Sequence, residues 1–192
     1  TTENILARIK GSEEGKALML LTHYDSSPHS SLGASDAGSG VVAILEGIRA
    51  FLENGAIPKN DIIILISDAE ELGLLGAQAF VDEHSWAKDV GLVLNFEARG
   101  SGGPSYMLME TNGKNSKLLT AFLSAEPNFP AANSLMYSIY KKLPNDTDLT
   151  VFRESGDING FNFAFIDDHF DYHTAQDSYE HLDRETLLHQ AD

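Results

Sequence analysis

Two short segments, Ala17–Thr22 (ALMLLT) and Ile62–Ser67 (IIILIS), are continuous apolar runs. A strand with one face in water alternates apolar and polar residues. A short run without alternation fits a strand covered on both faces, the usual state of a parallel sheet packed between helices. Around these runs the other segments fall into alternation. Ile5–Ile9 predicts a strand and Gly11–Gly15 a turn. Ser39 can cap a helix that runs to about Glu53, with Val42, Leu45, Ile48, Ala50 and Leu52 apolar, and Asn54-Gly55 ends it. Leu72–His84 reads as a helix, Gly91–Phe96 (GLVLNF) as a third strand, Tyr106–Met109 as a fourth, and Asn115–Ala125 as a helix. The stretch from Glu126 to Asn159 is loop-rich with short elements. Phe161–Ile166 is a further apolar strand, and Glu185–His189 starts a last helix. Strand-helix-strand alternation predicts an α/β chain: a three-layer α/β/α sandwich with a mixed, mostly parallel central sheet.

A chain of 192 residues makes one domain and buries roughly 70% of its unfolded surface. With 42% hydrophobic and 22% charged residues, it is neither disordered nor collagen-like. No run approaches the ~18 apolar residues that cross a bilayer. Thr1 and Thr2 lead directly into strand-like sequence without a leader peptide, so the chain reads as an excised or processed domain. Lys+Arg 13 against Asp+Glu 29 leaves a net charge of −16. That balance speaks against nucleic acid and anionic membranes, both of which need basic patches. It suits cationic partners, such as metal ions or the ammonium group of a peptide. Cysteine is absent, which excludes disulfides, thiolate nucleophiles and thiolate zinc sites.

In sheets of this kind ligands bind beyond the carboxyl ends of the strands. Those ends carry a consistent chemistry. His23-Tyr24-Asp25 follows ALMLLT, and Asp36 stands in a Ser/Gly-rich loop just before a helix. Asp68-Ala69-Glu70-Glu71 follows IIILIS, Glu97 follows GLVLNF, and Asp171-Tyr172-His173-Thr174 follows the last strand. Singly, each has an ordinary explanation: a turn residue, a helix N-cap, a solvated first turn. Together, imidazoles and carboxylates converging without thiolate suit zinc or another borderline divalent metal in a catalytic site.

With these motifs in place, the sequence resembles the family-28 metallopeptidases, co-catalytic zinc exopeptidases. The motifs are His23-Tyr24-Asp25, Ser35-Asp36-Ala37-Gly38-Ser39-Gly40, Ala69-Glu70-Glu71-Leu72-Gly73-Leu74-Leu75-Gly76, Asn95-Phe96-Glu97 and Tyr172-His173-Thr174. Asn145-Asp146-Thr147-Asp148 before Phe152-Arg153, and Asp177-Ser178 after Tyr172-His173-Thr174, are similar to the membrane-anchored vacuolar and endoplasmic-reticulum branch and its bacterial relatives. The resemblance runs from about Asn4 to Leu188. It implies a zinc-exopeptidase, phosphorylase/hydrolase-like sandwich and one catalytic domain over residues 1–192, open to truncation at both ends. It implies two zinc ions: His23 and Glu97 on one, Glu71 and His173 on the other, with Asp36 bridging. The catalytic pair would be Glu70, the general base, and Asp25, which would hydrogen-bond the His23 ring and fix its tautomer. Adjacent Glu70 and Glu71 can point differently where the chain turns from strand to helix. Two positions depart from many relatives. Ala37 stands where they have Asp, and Glu97 stands where several soluble aminopeptidases have Asp, leaving its one- or two-oxygen ligation open.

The implied function is a peptidase that removes terminal residues, aminopeptidase-type, with a peptide as partner, no nucleic acid and no membrane contact by this chain. The implied setting is extracytoplasmic: periplasm, cell surface or organelle lumen. Asp146, Asp148 and Asp157 are candidates to meet a substrate ammonium, although turn and loop roles explain them equally. Arg153 could grip a carboxylate or serve as an ion-pair partner. Tyr172 and Tyr140 could donate to an oxyanion or simply pack, and Tyr24 could line the pocket. His29, His84, His169, His181 and His189 read as non-ligands, with His169 the rival to His173, and Trp86 as a loop anchor. A single-zinc glutaminyl cyclase and a non-catalytic binding ectodomain are the alternatives. His23 and Glu97 argue against the first, and the complete ligand set argues against the second. A calcium module is disfavoured by the two histidines.

Overall fold

The apolar runs become the middle of a six-stranded sheet. The computed structural model describes residues 1–113, 115–142 and 146–192. Its strands are β1 (Ile5–Ile9), β2 (Ala17–His23), β3 (Ile62–Ser67), β4 (Val90–Ala98), β5 (Tyr106–Glu110) and β6 (Gly160–Phe165), in the spatial order β1-β3-β2-β4-β6-β5. The pairs β3–β2, β2–β4 and β4–β6 are parallel, and only the edge strands β1 and β5 run antiparallel. The helices are α1 (Gly40–Glu53), α2 (Leu75–Glu83), α3 (Ser116–Ser124), α4 (Ser134–Tyr140), α5 (Asp148–Glu154) and α6 (Arg184–Ala191).

The period-2 geometry of the strands sorts their side chains between two helical layers. On one face Met19, Leu21, Ile63, Leu65 and Val93 pack with Ala77 and Phe80 of α2 and with Leu149, Val151 and Phe152 of α5. On the other, Ile62, Ile64, Ile66 and Leu20 pack with Ile44 and Ile48 of α1, and Phe122 of α3 meets Phe161 and Phe163. The edge strand β1 is tied down by Arg8, whose guanidinium pairs with the buried Asp61 at 2.6 Å. No helix among the described residues is long and apolar enough to cross a membrane.

Some details differ from the sequence reading. Helix α2 starts at Leu75, three residues later than expected, because Asp68–Leu74 forms a turn with Ala69 and Leu74 left-handed. A tight turn, Ala34–Ser39, precedes α1, and the Ser39 hydroxyl donates to Ser35 O rather than capping the helix. In α1 itself Val42, Leu45, Ala50 and Leu52 face outward, and of the expected apolar positions Ile48 reaches the core, beside Val41, Ala43 and Ile44. The loop-rich stretch holds the two short helices α4 and α5. Asn145 of the predicted Asn145–Asp148 motif lies outside the described residues.

Candidate metal centre

The face that begins apolar in the middle of the sheet turns polar at the carboxyl ends. His23 and Ser67 continue the Met19–Leu21 and Ile63–Leu65 rows, and Asn95 and Glu97 continue from Val93. His23 is 1% exposed and Glu97 3%. Asp36 reaches them from the turn before α1. Gly40 lets that turn sit tight, because a Cβ there would lie 2.3 Å from Thr22 Oγ1 and 2.7 Å from Phe96 O.

Five of the sequence-predicted residues converge as two trios that share Asp36. His23 Nε2 lies 3.2 Å from Asp36 Oδ1 and 3.5 Å from Glu97 Oε2. His173 Nε2 lies 3.1 Å from the other oxygen, Asp36 Oδ2, and 2.8 Å from Glu71 Oε1. Within each trio the ligand-type atoms all fall within 4.8 Å of one another. Asp36 thus turns one oxygen to each group.

The supporting contacts are specific. His23 Nδ1 donates to the backbone carbonyl of Asp25 at 2.9 Å, which leaves Nε2 to the trio. The Asp25 carboxylate, the expected partner, also faces His23 Nδ1 at 3.5 Å, and it has a second task. It accepts the backbone N–H groups of Glu70 at 3.0 Å and Glu71 at 3.1 Å. Asp25 therefore fixes the turn that aims the two glutamates apart. Asp177 performs the matching task for Asp36. It is buried and accepts from Ser35 N at 2.6 Å, Asp36 N at 3.3 Å and Ser31 Oγ at 3.1 Å, fastening the Asp36 turn to the segment that follows His173. His173 has a left-handed backbone, φ 57°, and Tyr172 stacks on it with ring centroids 3.7 Å apart.

Charge is concentrated and poorly hydrated here. Burial lifts Glu70 to about 9, reinforced by Glu97, Asp148 and Asp36 and opposed by His23. Burial also raises Glu71, with Asp36 adding to it and His173 opposing. Asp36 and Glu71 lift His173 to about 9. Burial pulls His23 down, yet Glu97, Asp25 and Asp36 overcome it and leave His23 well above the usual histidine range. Burial resists ionisation of Asp36, but His173 and His23 outweigh it and hold the carboxyl below its ordinary range. Glu71 Oε1 and His173 Nε2 are buried and face each other at 2.8 Å. Imidazole nitrogens and carboxylate oxygens gathered in this way, without thiolate, form a ligand set that fits zinc.

The trios open into a cavity of about 450 Å³ lined by Glu70, Glu71, Glu97, Arg99, Asp146 and Tyr172, among others. Arg99 was missed in the sequence; its guanidinium lies over the Tyr172 ring at 5.4 Å. Its one signal was its place two residues beyond Glu97. Other candidates fall elsewhere. Asp148 is buried beneath the site, where burial lifts it to about 7, and accepts from Ser67 Oγ. Asp157 accepts from Asn112 at 2.9 Å on the surface. Arg153 pairs with Glu110 at 2.9 Å and Glu154 at 2.8 Å, so it is an ion-pair partner. The Tyr24 hydroxyl donates to Glu3 O, outside the cavity. Tyr140 lines an adjacent apolar cavity with Arg99 and Tyr172. Trp86 packs on the core beneath Arg8. None of the other five histidines joins either trio among the described residues, and His169 packs against Phe170.

Comparison with known proteins gives the family and the fold. Residues 4–192 match the model of peptidase family M28. The vacuolar membrane protease of Candida dubliniensis is 35% identical over 191 residues, covering 98% of this chain and 20% of that protein. BSAP, a zinc aminopeptidase from Bacillus subtilis, superposes with a TM-score of 0.74 at 28% identity, over 96% of this chain and 46% of that one. A peptidase M28 precursor from Shewanella amazonensis gives a TM-score of 0.77 at 23% identity, over 98% and 42%. The chain spans about a fifth of the length of the curated relatives it matches.

Proposed function

The chain belongs to peptidase family M28, and on that premise we propose that it carries the active centre of an aminopeptidase-type exopeptidase with two zinc ions. The observation that carries this reading is the pair of trios joined through the two oxygens of Asp36. His23, Asp36 and Glu97 would hold one ion and Asp36, Glu71 and His173 the other. Zinc would supply Lewis acidity, polarising a peptide carbonyl and lowering the pKa of water toward ~7. The protein's own part falls to Glu70. It lines the cavity beside both trios and would take a proton from the attacking water and deliver it to the leaving amine. Two dications would supply the positive charge that its buried carboxylate lacks and return it to the ionised form that a base requires.

Asp146 is the cavity carboxylate with no assigned role at the ions or as base, which favours a substrate with a free ammonium group and hence amino-terminal removal. The paired trios support this reading over a single-zinc cyclase. The Candida relative is named a vacuolar membrane protease, which supports an extracytoplasmic, luminal setting. Elemental analysis should find two zinc ions per chain after zinc dialysis, and Glu70→Gln should keep both while losing about 10²–10⁴-fold in kcat on aminoacyl substrates. Full activity in that variant would remove Glu70 from its role, and a chain that takes up no zinc would overturn the metal centre.

A further inference from the structure

Two asparagines occupy the centre of the sheet. Asn95 and Asn162 are 0% and 1% exposed. They lie opposite each other on β4 and β6, in a row whose other members are Leu6, Leu65, Leu21 and Leu108. Burying an amide is costly unless its hydrogen bonds are made, so the bonds these two make indicate what they do there. Asn95 Nδ2 donates to Glu97 Oε1 at 3.1 Å and to Asn162 Oδ1 at 3.1 Å. Asn162 Nδ2 donates to the Tyr140 hydroxyl at 3.4 Å. That hydroxyl faces the Glu110 carboxylate, which is neutralised by Arg153 at 2.9 Å and Lys141 at 3.1 Å.

The chain of bonds has one direction. The Tyr140 hydroxyl accepts from Asn162 Nδ2. Asn162 thereby presents its oxygen to Asn95. Both hydrogens of Asn95 Nδ2 are used, and flipping the amide would set its oxygen against two acceptors, Glu97 Oε1 and Asn162 Oδ1. Asn95 Oδ1 itself has no hydrogen-bond partner, so the amide is in place for its donors. Its target is a ligand-type residue whose other oxygen, Oε2, is the one facing His23 Nε2 at 3.5 Å. Gln190 of α6 holds the same residue by its backbone carbonyl at 3.0 Å.

We propose that Asn95, backed by Asn162 and Tyr140, is a positioning residue that holds Glu97 Oε1 aside so that Oε2 alone meets the ion at the His23–Asp36–Glu97 trio. The role rests on the two-metal reading above. It makes Glu97 a one-oxygen ligand with a fixed orientation.

The test is Asn95→Leu, which keeps the size and removes the donors, alongside Tyr140→Phe, which keeps the packing and removes only the outer link. Zinc affinities by chelator competition, cobalt(II) visible spectra and the melting temperature of the metal-free protein are compared with wild type. Asn95→Leu should weaken one of two sites by about 10–100-fold and alter the cobalt spectrum of that site alone. Tyr140→Phe should weaken the same site by about fivefold, the equivalent of one neutral hydrogen bond. Unchanged affinities and an unchanged cobalt spectrum, with only the melting temperature lowered, overturn the proposal and leave the amides a purely structural role. If Asn95→Leu does not fold, the Tyr140→Phe spectrum and affinity decide alone. A wild-type chain that binds neither zinc nor cobalt overturns the two-metal reading and this role with it, whereas two ions bound equally by wild type and variants overturn this role only.

Discussion

Asp25 shows how much a single side chain can contribute without touching substrate. Its carbonyl orients His23, and its carboxylate accepts two consecutive N–H groups, those of Glu70 and Glu71. Replacing the carboxylate by a methyl group strands both donors in a half-buried turn. Asp25→Ala should therefore lower the stability of the metal-free protein by about 2–3 kcal/mol, measured by urea unfolding, and loosen zinc by about 10–100-fold. Loss of zinc affinity without loss of stability would return Asp25 to a role on the His23 ring alone. The residue types at the strand ends were legible in the sequence, and all five predicted ligand-type residues meet in the two trios. Their partners were not legible. Asn95 stands in a legible motif with Glu97, but its second partner is Asn162, 67 positions away in the chain, and no local pattern encodes a register between strands.

Among the elements, strands were easier to read than helices for a physical reason. A strand buried on both faces advertises itself as unbroken hydrocarbon, as Ile62–Ser67 does, being buried at every position. Helix α1 carries apolar residues around much of its circumference, so composition alone does not give its phase, and Val42 and Leu45 are 51% and 54% exposed. Its two glycines separate the faces better. Gly40 meets Thr22 and Phe96 at distances no Cβ tolerates, whereas nothing lies within 4 Å of a Cβ at Gly47. Gly47→Ala should stabilise the protein by about 0.5–1 kcal/mol, since it raises helix propensity at no steric cost. Gly40→Ala should destabilise it by about 1–3 kcal/mol and, because it pushes on the turn that carries Asp36, should weaken zinc binding as well. Thermal melts of the two variants, with and without zinc, separate the outcomes; equal effects would mean that α1 does not brace the Asp36 turn.

At the scale of the whole molecule, the open question is how a chain with a net charge of −16 tolerates a nest of buried carboxylates at the end of its sheet. Without a metal the fold must rely on protons. Glu70, raised to about 9, is an acid whose folded form holds its proton, so the stability it allows is present at low pH and is lost as pH rises toward 9. Asp148, at about 7, acts in the same direction over a lower window. His173, raised to about 9, contributes stability that is complete below the ordinary histidine value of ~6.5 and is lost between there and 9. Asp36 has the opposite sign, but it stays ionised throughout this range and adds no slope to it. The contributions that titrate near neutrality therefore agree. The metal-free protein should lose melting temperature steadily between about pH 6.5 and 9. Zinc replaces those protons with fixed positive charge, so the loaded protein should melt higher and keep its melting temperature nearly constant over the same interval. Melting curves of both forms at a series of pH values check this. A metal-free protein whose stability is flat or rising toward pH 9 would show that the raised values of Glu70, Asp148 and His173 do not govern its pH dependence.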